Sequence, residues 1–138
     1  MITIRKQEIV KLEDVLHLYQ AVGWTNYTNQ PQMLKQALSQ SLVIHLALDG
    51  DAVVGLIRLV GDGFSSVFVQ DLIVLPSYQR QGIGRSLMKE ALEDYKDAYQ
   101  VQLVTDQTER TLGFYRSMGF EILSTYNCIG MTWMNREK

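Results

Sequence analysis

The run Gln79-Arg80-Gln81-Gly82-Ile83-Gly84-Arg85 follows an apolar stretch ending at Leu75-Pro76 and leads into an amphipathic one carrying Leu87, Met88, Ala91, Leu92 and Tyr95. This pattern predicts a strand, a tight glycine turn and a helix. A helix N-terminus carries unpaired backbone N–H groups and a partial positive charge. Gly82 and Gly84 keep side chains away from those donors, and Arg80 and Arg85 add two full charges at the same end. Helix stability alone favours acids in the first turn and bases in the last, each worth roughly 0.3–1 kcal/mol. Here the arginines come first, and Glu90, Glu93, Asp94 and Asp97 crowd the far half. A phosphate at the N-terminus would account for the inversion; a solvated helix behind a plain glycine turn is the alternative.

Two nucleotide signatures are missing. No Gly-x-x-x-x-Gly-Lys-[Ser/Thr] occurs, which excludes a P-loop, and the loop follows the third strand of an antiparallel meander rather than the first strand of a βαβ unit. His17 falls off the apolar stripe of its helix and reads as solvated. His45 reads as a packed strand residue, and with one cysteine, Cys128, no metal site is expected. Cys128 itself reads as a small buried hydrophobe, with an acetyl-cysteine role as the alternative.

The elements that must position the loop follow from periodicity. Ile2 and Ile4 alternate with polar neighbours, as in a strand; Leu12, Val15, Leu16, Tyr19 and Val22 form a helical stripe ended by Gly23; and Pro31 suits the first turn of a second helix carrying Leu34, Ala37 and Leu38. Leu42 to Leu48, Ala52 to Val60 and Phe64 to Leu75 read as a three-strand meander turned at Asp49-Gly50 and Gly61-Asp62-Gly63. After the loop helix come a strand over Gln100 to Thr105, a helix over Thr108 to Met118, and two closing strands over Phe120 to Ser124 and Cys128 to Met134. A mixed sheet with helices on its faces, an α/β architecture in a single domain over residues 1–138, is the expectation.

The 138 residues carry a net charge of −2 with 46% apolar residues, which excludes wholesale disorder and gives no support for a nucleic-acid arm or a polybasic membrane patch. The longest apolar stretch, Leu42 to Leu48, is far short of the roughly 20 residues a membrane helix needs. The N-terminus lacks the apolar core of a signal peptide, and one cysteine leaves no internal disulfide. A cytoplasmic location is expected.

The segment Asp71-Leu72-Ile73-Val74-Leu75-Pro76-Ser77-Tyr78-Gln79-Arg80-Gln81-Gly82-Ile83-Gly84-Arg85 resembles the acyl-CoA motif of the GNAT N-acetyltransferase superfamily, [Gln/Arg]-x-x-Gly-x-[Gly/Ala] after a strand. Phe114-Tyr115-Arg116-Ser117-Met118-Gly119-Phe120 resembles the family's second signature, and the element order also fits, so the resemblance covers essentially the whole chain. It implies a GNAT-like fold with a mixed central sheet of about seven strands flanked by four helices. It also implies acetyl-CoA as cosubstrate. The backbone amides of Arg80, Gln81, Gly82, Ile83, Gly84 and Arg85 would hold the pyrophosphate, Gln79 would also bind the cofactor, and the backbone of Leu72, Ile73 and Val74 would pair with the pantetheine arm. Tyr115 would be the general acid toward the leaving thiolate; a core aromatic on a short helix is the alternative. Thr108 stands where the family often has a cofactor-contacting Asn, and Gln102-Leu103-Val104-Thr105 lacks the Glu that many relatives use as general base.

On the acceptor side an acid within a strand singles out Asp71, and the resemblance points to Trp24 and Tyr27. Asp71 would be a catalytic or substrate-binding acid, or else bridge to an arginine or a loop amide. Trp24 and Tyr27, in a loop between the first two helices, would stack on an amine or plug the helices. Gly23-Trp24 and the following Ala-Leu helix resemble plastid-type aralkylamine (serotonin) acetyltransferases and their bacterial relatives. The implied function is direct transfer of acetyl from acetyl-CoA to a primary amine of a small molecule or peptide in a ternary complex, without nucleic-acid or membrane partners. A homodimer through the closing strands is compatible with the pattern, and a non-catalytic acyl-CoA-binding or sensing module is the alternative function.

Overall fold

The computed structural model describes residues 1–133. The chain divides into two compact units, Met1–Val104 and Thr105–Lys138. The first holds β1 (Ile2–Gln7), α1 (Leu12–Ala21), α2 (Thr25–Thr28), α3 (Pro31–Ser39), β2 (Val43–Asp49), β3 (Ala52–Gly61), β4 (Ser66–Val74), α4 (Ile83–Leu92) and β5 (Gln100–Leu103). The second holds α5 (Glu109–Arg116) and a 3-10 turn over Leu123–Tyr126.

The sheet runs β1-β2-β3-β4-β5, antiparallel through β4 and parallel between β4 and β5. Parallel pairing requires a crossover, which α4 supplies. Helices cover both faces of the sheet. On one face Val15, Leu18 and Tyr19 of α1, Tyr27 of α2 and Leu34 and Leu38 of α3 pack with Ile44, Leu46, Leu56 and Ile73. On the other, α4 turns Ile83, Leu87, Met88 and Ala91 inward and packs on β2 and β3. With helices on both sides, β3 is buried without interruption from Val54 to Leu59, the continuous burial of a doubly covered strand. No helix among the described residues is long and apolar enough to cross a membrane.

The mixed α/β sheet of the sequence reading is present, but with five strands and five α-helices among the described residues rather than seven and four. The extra helix is α2, one turn where a loop was expected. Its Tyr27 stacks edge-on against Tyr19 with ring centroids 5.0 Å apart, and Trp24 tilts against both rings. This aromatic packing organises a segment too short to be helical by itself. The two closing strands are absent from the described residues. Leu123–Tyr126 instead closes locally, with Thr125 N–H donating to Ile122 O and Cys128 N–H to Leu123 O. Ile129, Met131 and Trp133 keep a period-two spacing, yet are 81%, 94% and 81% exposed, so no buried face rewards a ladder. Cys128, expected inside, is exposed; Met134, the end of the second expected strand, lies outside the described residues. α4 stops at Leu92, so of the four acids assigned to its far half only Glu90 is in the helix; Glu93 and Asp94 begin a 3-10 turn, where they meet Lys96 and Lys6.

The β3–β4 turn shows how local chemistry sets the frame. The Asp62 carboxylate accepts from the Ser65 hydroxyl and from the backbone N–H groups of Phe64, Ser65 and Ser66, at 2.6–3.1 Å. Those donors, the Ser65 hydroxyl first, hold its pKa well below the usual carboxylate range. Gly61 enters the turn at φ +130°, and a β-carbon there would run into the Ser66 carbonyl. Gly61→Ala therefore combines backbone strain with a clash against main chain, and should cost about 2–4 kcal/mol in urea unfolding.

Candidate active site

β4 is two strands in one. Its first half pairs with β5, from Ser66↔Gln100 to Val69↔Leu103, and there the parallel ladder ends. At the same point its register against β3 shifts: Leu59 faces Val69 while Arg58 faces Asp71, so Gln70 is an extra, bulged residue. Beyond it, Leu75 N–H donates to Val54 O at 2.9 Å, and the Ile73 carbonyl faces Gly55 of β3, 3.1 Å from where a β-carbon would stand. Backbone groups alternate sides along a strand. Ile73 is therefore committed to β3, whereas Leu72 and Val74 turn their N–H and C=O groups to the edge that β5 has left. Of the three residues assigned to an incoming arm, two present backbone groups there. The Gln79 side chain reaches back and donates to the Val74 carbonyl at 3.0 Å.

The glycine loop starts directly after this edge. Pro76–Tyr78 form a 3-10 turn, and the Tyr78 hydroxyl donates to Asp49 at 2.6 Å, tying the loop to the end of β2. That hydrogen bond, together with the nearby N-terminal ammonium, lowers the Asp49 pKa. Arg80 takes φ +66°, a left-handed conformation costing roughly 1–2 kcal/mol for a residue with a β-carbon. Gly82 takes φ +80° as the N-cap of α4, offers no side-chain oxygen to the first turn, and has open space where a β-carbon would stand. Gln79, Arg80, Gln81 and Arg85 are exposed and Gly84 is half-buried, while Ile83 is buried and anchors the helix in the core. No acid occupies the first turn of α4. The loop thus shows a helix N-terminus and basic side chains to solvent, the composition of an anion site.

Beneath the edge lies a buried polar cluster that sequence reading caught only in part. A pair of residues facing each other across a ladder shares a face, and neighbours along one strand take opposite faces. Arg58 and Leu59 are neighbours, so the bulge sends Asp71 to the face opposite Val69, under α1 and α2. There Asp71, 2% exposed, accepts from Arg58 Nε at 2.7 Å, from the Tyr19 hydroxyl at 2.9 Å and from the Tyr27 hydroxyl at 2.9 Å. The Arg58 guanidinium, 4% exposed, also donates to Tyr27 Oη, Ser41 Oγ and Ala37 O at 3.2–3.4 Å. Burial opposes the Arg58 charge, but the Asp71 charge and hydrogen bond more than offset it, and its pKa stands raised. Burial first, then the Asp71 charge, pushes both tyrosines up, keeping them protonated donors. Asp71 thus forms the bridge to an arginine, one of its two readings. Tyr27 lies inside the cluster, and Trp24, half-buried, packs on the surrounding core. Arg58 and Tyr19 were missed; the available signal was a lone arginine within the apolar run Ala52 to Val60, which has no stable place in a buried strand without a carboxylate.

In the second unit, Thr108 caps α5. Its hydroxyl donates to Asp106 at 2.8 Å and accepts from the Thr111 N–H at 3.3 Å. Tyr115 lies half-buried on α5, edge-on to Phe114 and Phe120 with centroids 5.1 Å and 5.9 Å away. Burial, then the Asp106 charge, raises its pKa, so the phenol is neutral at pH 7. Of the histidines, His17 Nε2 donates to Val53 O at 2.8 Å, while His45 is buried in β2 with its pKa lowered by burial.

The buried cluster makes a quantitative prediction. Tyr19→Phe removes one hydrogen bond to an ionised carboxylate while keeping the ring, and should lower unfolding stability by about 1.5–3 kcal/mol in urea titration.

Known proteins are similar to this chain in sequence and in fold. The family model described as an acetyltransferase (GNAT) domain matches residues 40–122, a span that includes β4, the glycine loop and Tyr115. A GNAT-family acetyltransferase of Streptococcus pneumoniae TIGR4 has the same structure at TM-score 0.92 and 82% identity, covering 99% of this chain and 100% of that one. GCN5-related N-acetyltransferase 1 of Arabidopsis thaliana, a chloroplastic protein, is 35% identical over 63 residues, 46% of this chain and 32% of that protein. The chloroplastic serotonin N-acetyltransferase 2 of Oryza sativa subsp. japonica is 32% identical over 95 residues, 66% of this chain and 48% of that protein. The chain therefore matches about a third of the length of the first of these plant relatives and about half of the second. With its split β4 edge, its glycine-capped helix and these relationships, the chain belongs to the GNAT family of acetyltransferases.

Proposed function

We propose that this protein transfers an acetyl group from acetyl-CoA to a primary amine by direct attack in a ternary complex. The observation that carries the reading is the continuity of two half-sites. The outward N–H and C=O groups of Leu72 and Val74 suit the amide-bearing pantetheine arm as an added strand. The bare N-terminus of α4, with Arg80 and Arg85 nearby, suits the pyrophosphate. Open space at Gly82 and the lack of a capping side chain support the fit. Bound there, the cosubstrate supplies an activated acyl carbonyl on a thiol leaving group.

The chain's own contributions are positioning, an oxyanion donor and an acid. An outward amide of β4 polarises the thioester carbonyl as the amine adds. An N–C bond forms, the C–S bond breaks, and the Tyr115 hydroxyl donates a hydrogen bond to the departing thiolate, which takes its proton from solvent. A raised phenol pKa makes outright proton transfer to a thiolate of ordinary pKa about 8.5 uphill, so Tyr115 acts mainly through a strong hydrogen bond. The amine proton passes to water, or the amine arrives neutral. The acceptor is a small-molecule or peptide amine, and the serotonin N-acetyltransferase relative supports starting with arylalkylamines. A cytoplasmic location belongs to the same proposal.

Thiol release from acetyl-CoA over an amine panel tests the reading, and CoA binding without turnover for any amine would leave a binding module instead. Tyr115→Phe should lower kcat by about 10²–10³-fold with CoA affinity nearly unchanged; equal losses of both would remove the acid role. Because its pKa is raised, Tyr115 should cause no loss of activity until pH exceeds about 10, the ordinary phenol value. Gly82→Asp sets a carboxylate and a strained β-carbon at the helix N-terminus. It should abolish CoA binding by calorimetry while the circular dichroism spectrum persists.

A further inference from the structure

We infer that the Arg58–Asp71 ion pair, with its two tyrosine donors, is the register lock that keeps the β4 edge open, and that Asp71 serves the reaction as a positioning residue rather than as a base. Three features coincide at one point of the sheet. The parallel ladder with β5 ends at Val69, the bulge falls at Gln70, and the charged pair faces across β3 and β4 at Arg58↔Asp71, the first pair beyond the bulge. A bulge is cheap to lose, because sliding one residue regains a ladder position. Here sliding would set Asp71 opposite Ile57, on the face packed by α4 with Ile83, Leu87 and Met88. Arg58 would stay under α1 and α2 without its carboxylate, beside two tyrosines. Two buried charges would lose their partners at once, so the slipped register is strongly disfavoured.

The lock bears on function because a one-residue slip also exchanges backbone edges. With the bulge, Leu72 and Val74 face outward and Ile73 faces β3. Without it, Leu72 and Val74 would turn to β3 and Ile73 outward. The backbone pattern offered to an incoming arm thus depends on a pair that never touches that arm. The geometry also argues against Asp71 as a proton acceptor. Both carboxylate oxygens are already engaged, by Arg58, Tyr19 and Tyr27, and the side chain is 2% exposed.

The activity arm of the test rests on the proposed function; the exchange arm does not. In the wild-type chain, amide hydrogen exchange should be slow at Ile73 and fast at Leu72 and Val74. In the Asp71→Asn variant, exchange at Leu72 and Val74 should slow as the strand slips. CoA affinity and kcat should fall together by tenfold or more, and the residual pH–rate profile should keep its wild-type acid limb. An unchanged exchange pattern and CoA affinity, with kcat down more than 100-fold and the acid limb lost, would make Asp71 the base and overturn the lock. No change in any of these readouts would overturn it equally. If the Asn variant does not fold, the apolar quadruple variant Tyr19→Phe, Tyr27→Phe, Arg58→Met, Asp71→Leu decides. It removes every buried polar group of the cluster, so stability is retained while the register is no longer specified. A wild-type exchange pattern in that variant would refute the lock. A wild-type chain that gives no heat with acetyl-CoA ends the proposed function and leaves the exchange pattern to judge the pair alone.

Discussion

A buried guanidinium and a buried carboxylate, 2.7 Å apart in the middle of a sheet, organise the face of the sheet that α1, α2 and α3 cover. Neither is tolerable without the other, since an unpaired charge at that depth costs several kcal/mol. Each is therefore surrounded by groups that complete its hydrogen bonds: Tyr19 from α1, Tyr27 from α2, Ser41 and the Ala37 carbonyl from around the end of α3. The cluster consequently ties three helices to β3 and β4. The one-turn α2 exists because its tyrosine is needed inside. The bulge at Gln70 turns Asp71 toward these donors and away from the apolar face of α4.

The same bulge connects packing to chemistry. It falls where β5 parts from β4, and beyond it Leu72 and Val74 hold backbone groups toward an edge that no strand fills among the described residues. Immediately afterwards the chain spends conformational energy on Arg80 in a left-handed geometry, and places Gly82 where only a glycine is unstrained. Both choices are poor for stability and good for presenting main chain. A loop that leaves helix amides uncapped and surrounds them with positive charge is stable enough only because Ile83, Leu87, Met88 and Ala91 pin the helix that follows.

Much of this was legible in the chain itself. Strand alternation, the Asp49-Gly50 and Gly61-Asp62-Gly63 turns and the apolar stripe of α4 are local signals, and each element formed within a few residues of its expected place. The glycine loop was legible because its glycines and arginines are contiguous in the chain, whereas three of the four acids read as the far half of its helix lie beyond the end of α4. Harder to read were features whose stability comes from partners distant in sequence. Tyr19 and Asp71 are 52 positions apart and Tyr27 and Asp71 are 44 apart, so no local pattern announced that they meet. The closing strands failed for the converse reason. Ile129, Met131 and Trp133 carry the right period, but period describes a face and cannot supply something to bury it against.

Sequence alone determined the family, the order of the elements through β5 and α5 apart from α2, and the presence of a glycine-capped helix N-terminus, because these depend on short-range periodicity and on motifs that are contiguous in the chain. Tertiary structure decided the number of strands, the helical state of Thr25–Thr28, and which backbone groups of β4 face outward. It also decided that Asp71 is held by an arginine and two tyrosines. Those outcomes turn on a single-residue register shift and on buried charge pairing, and both are settled by the free energy of the whole packed sheet rather than by any window of residues.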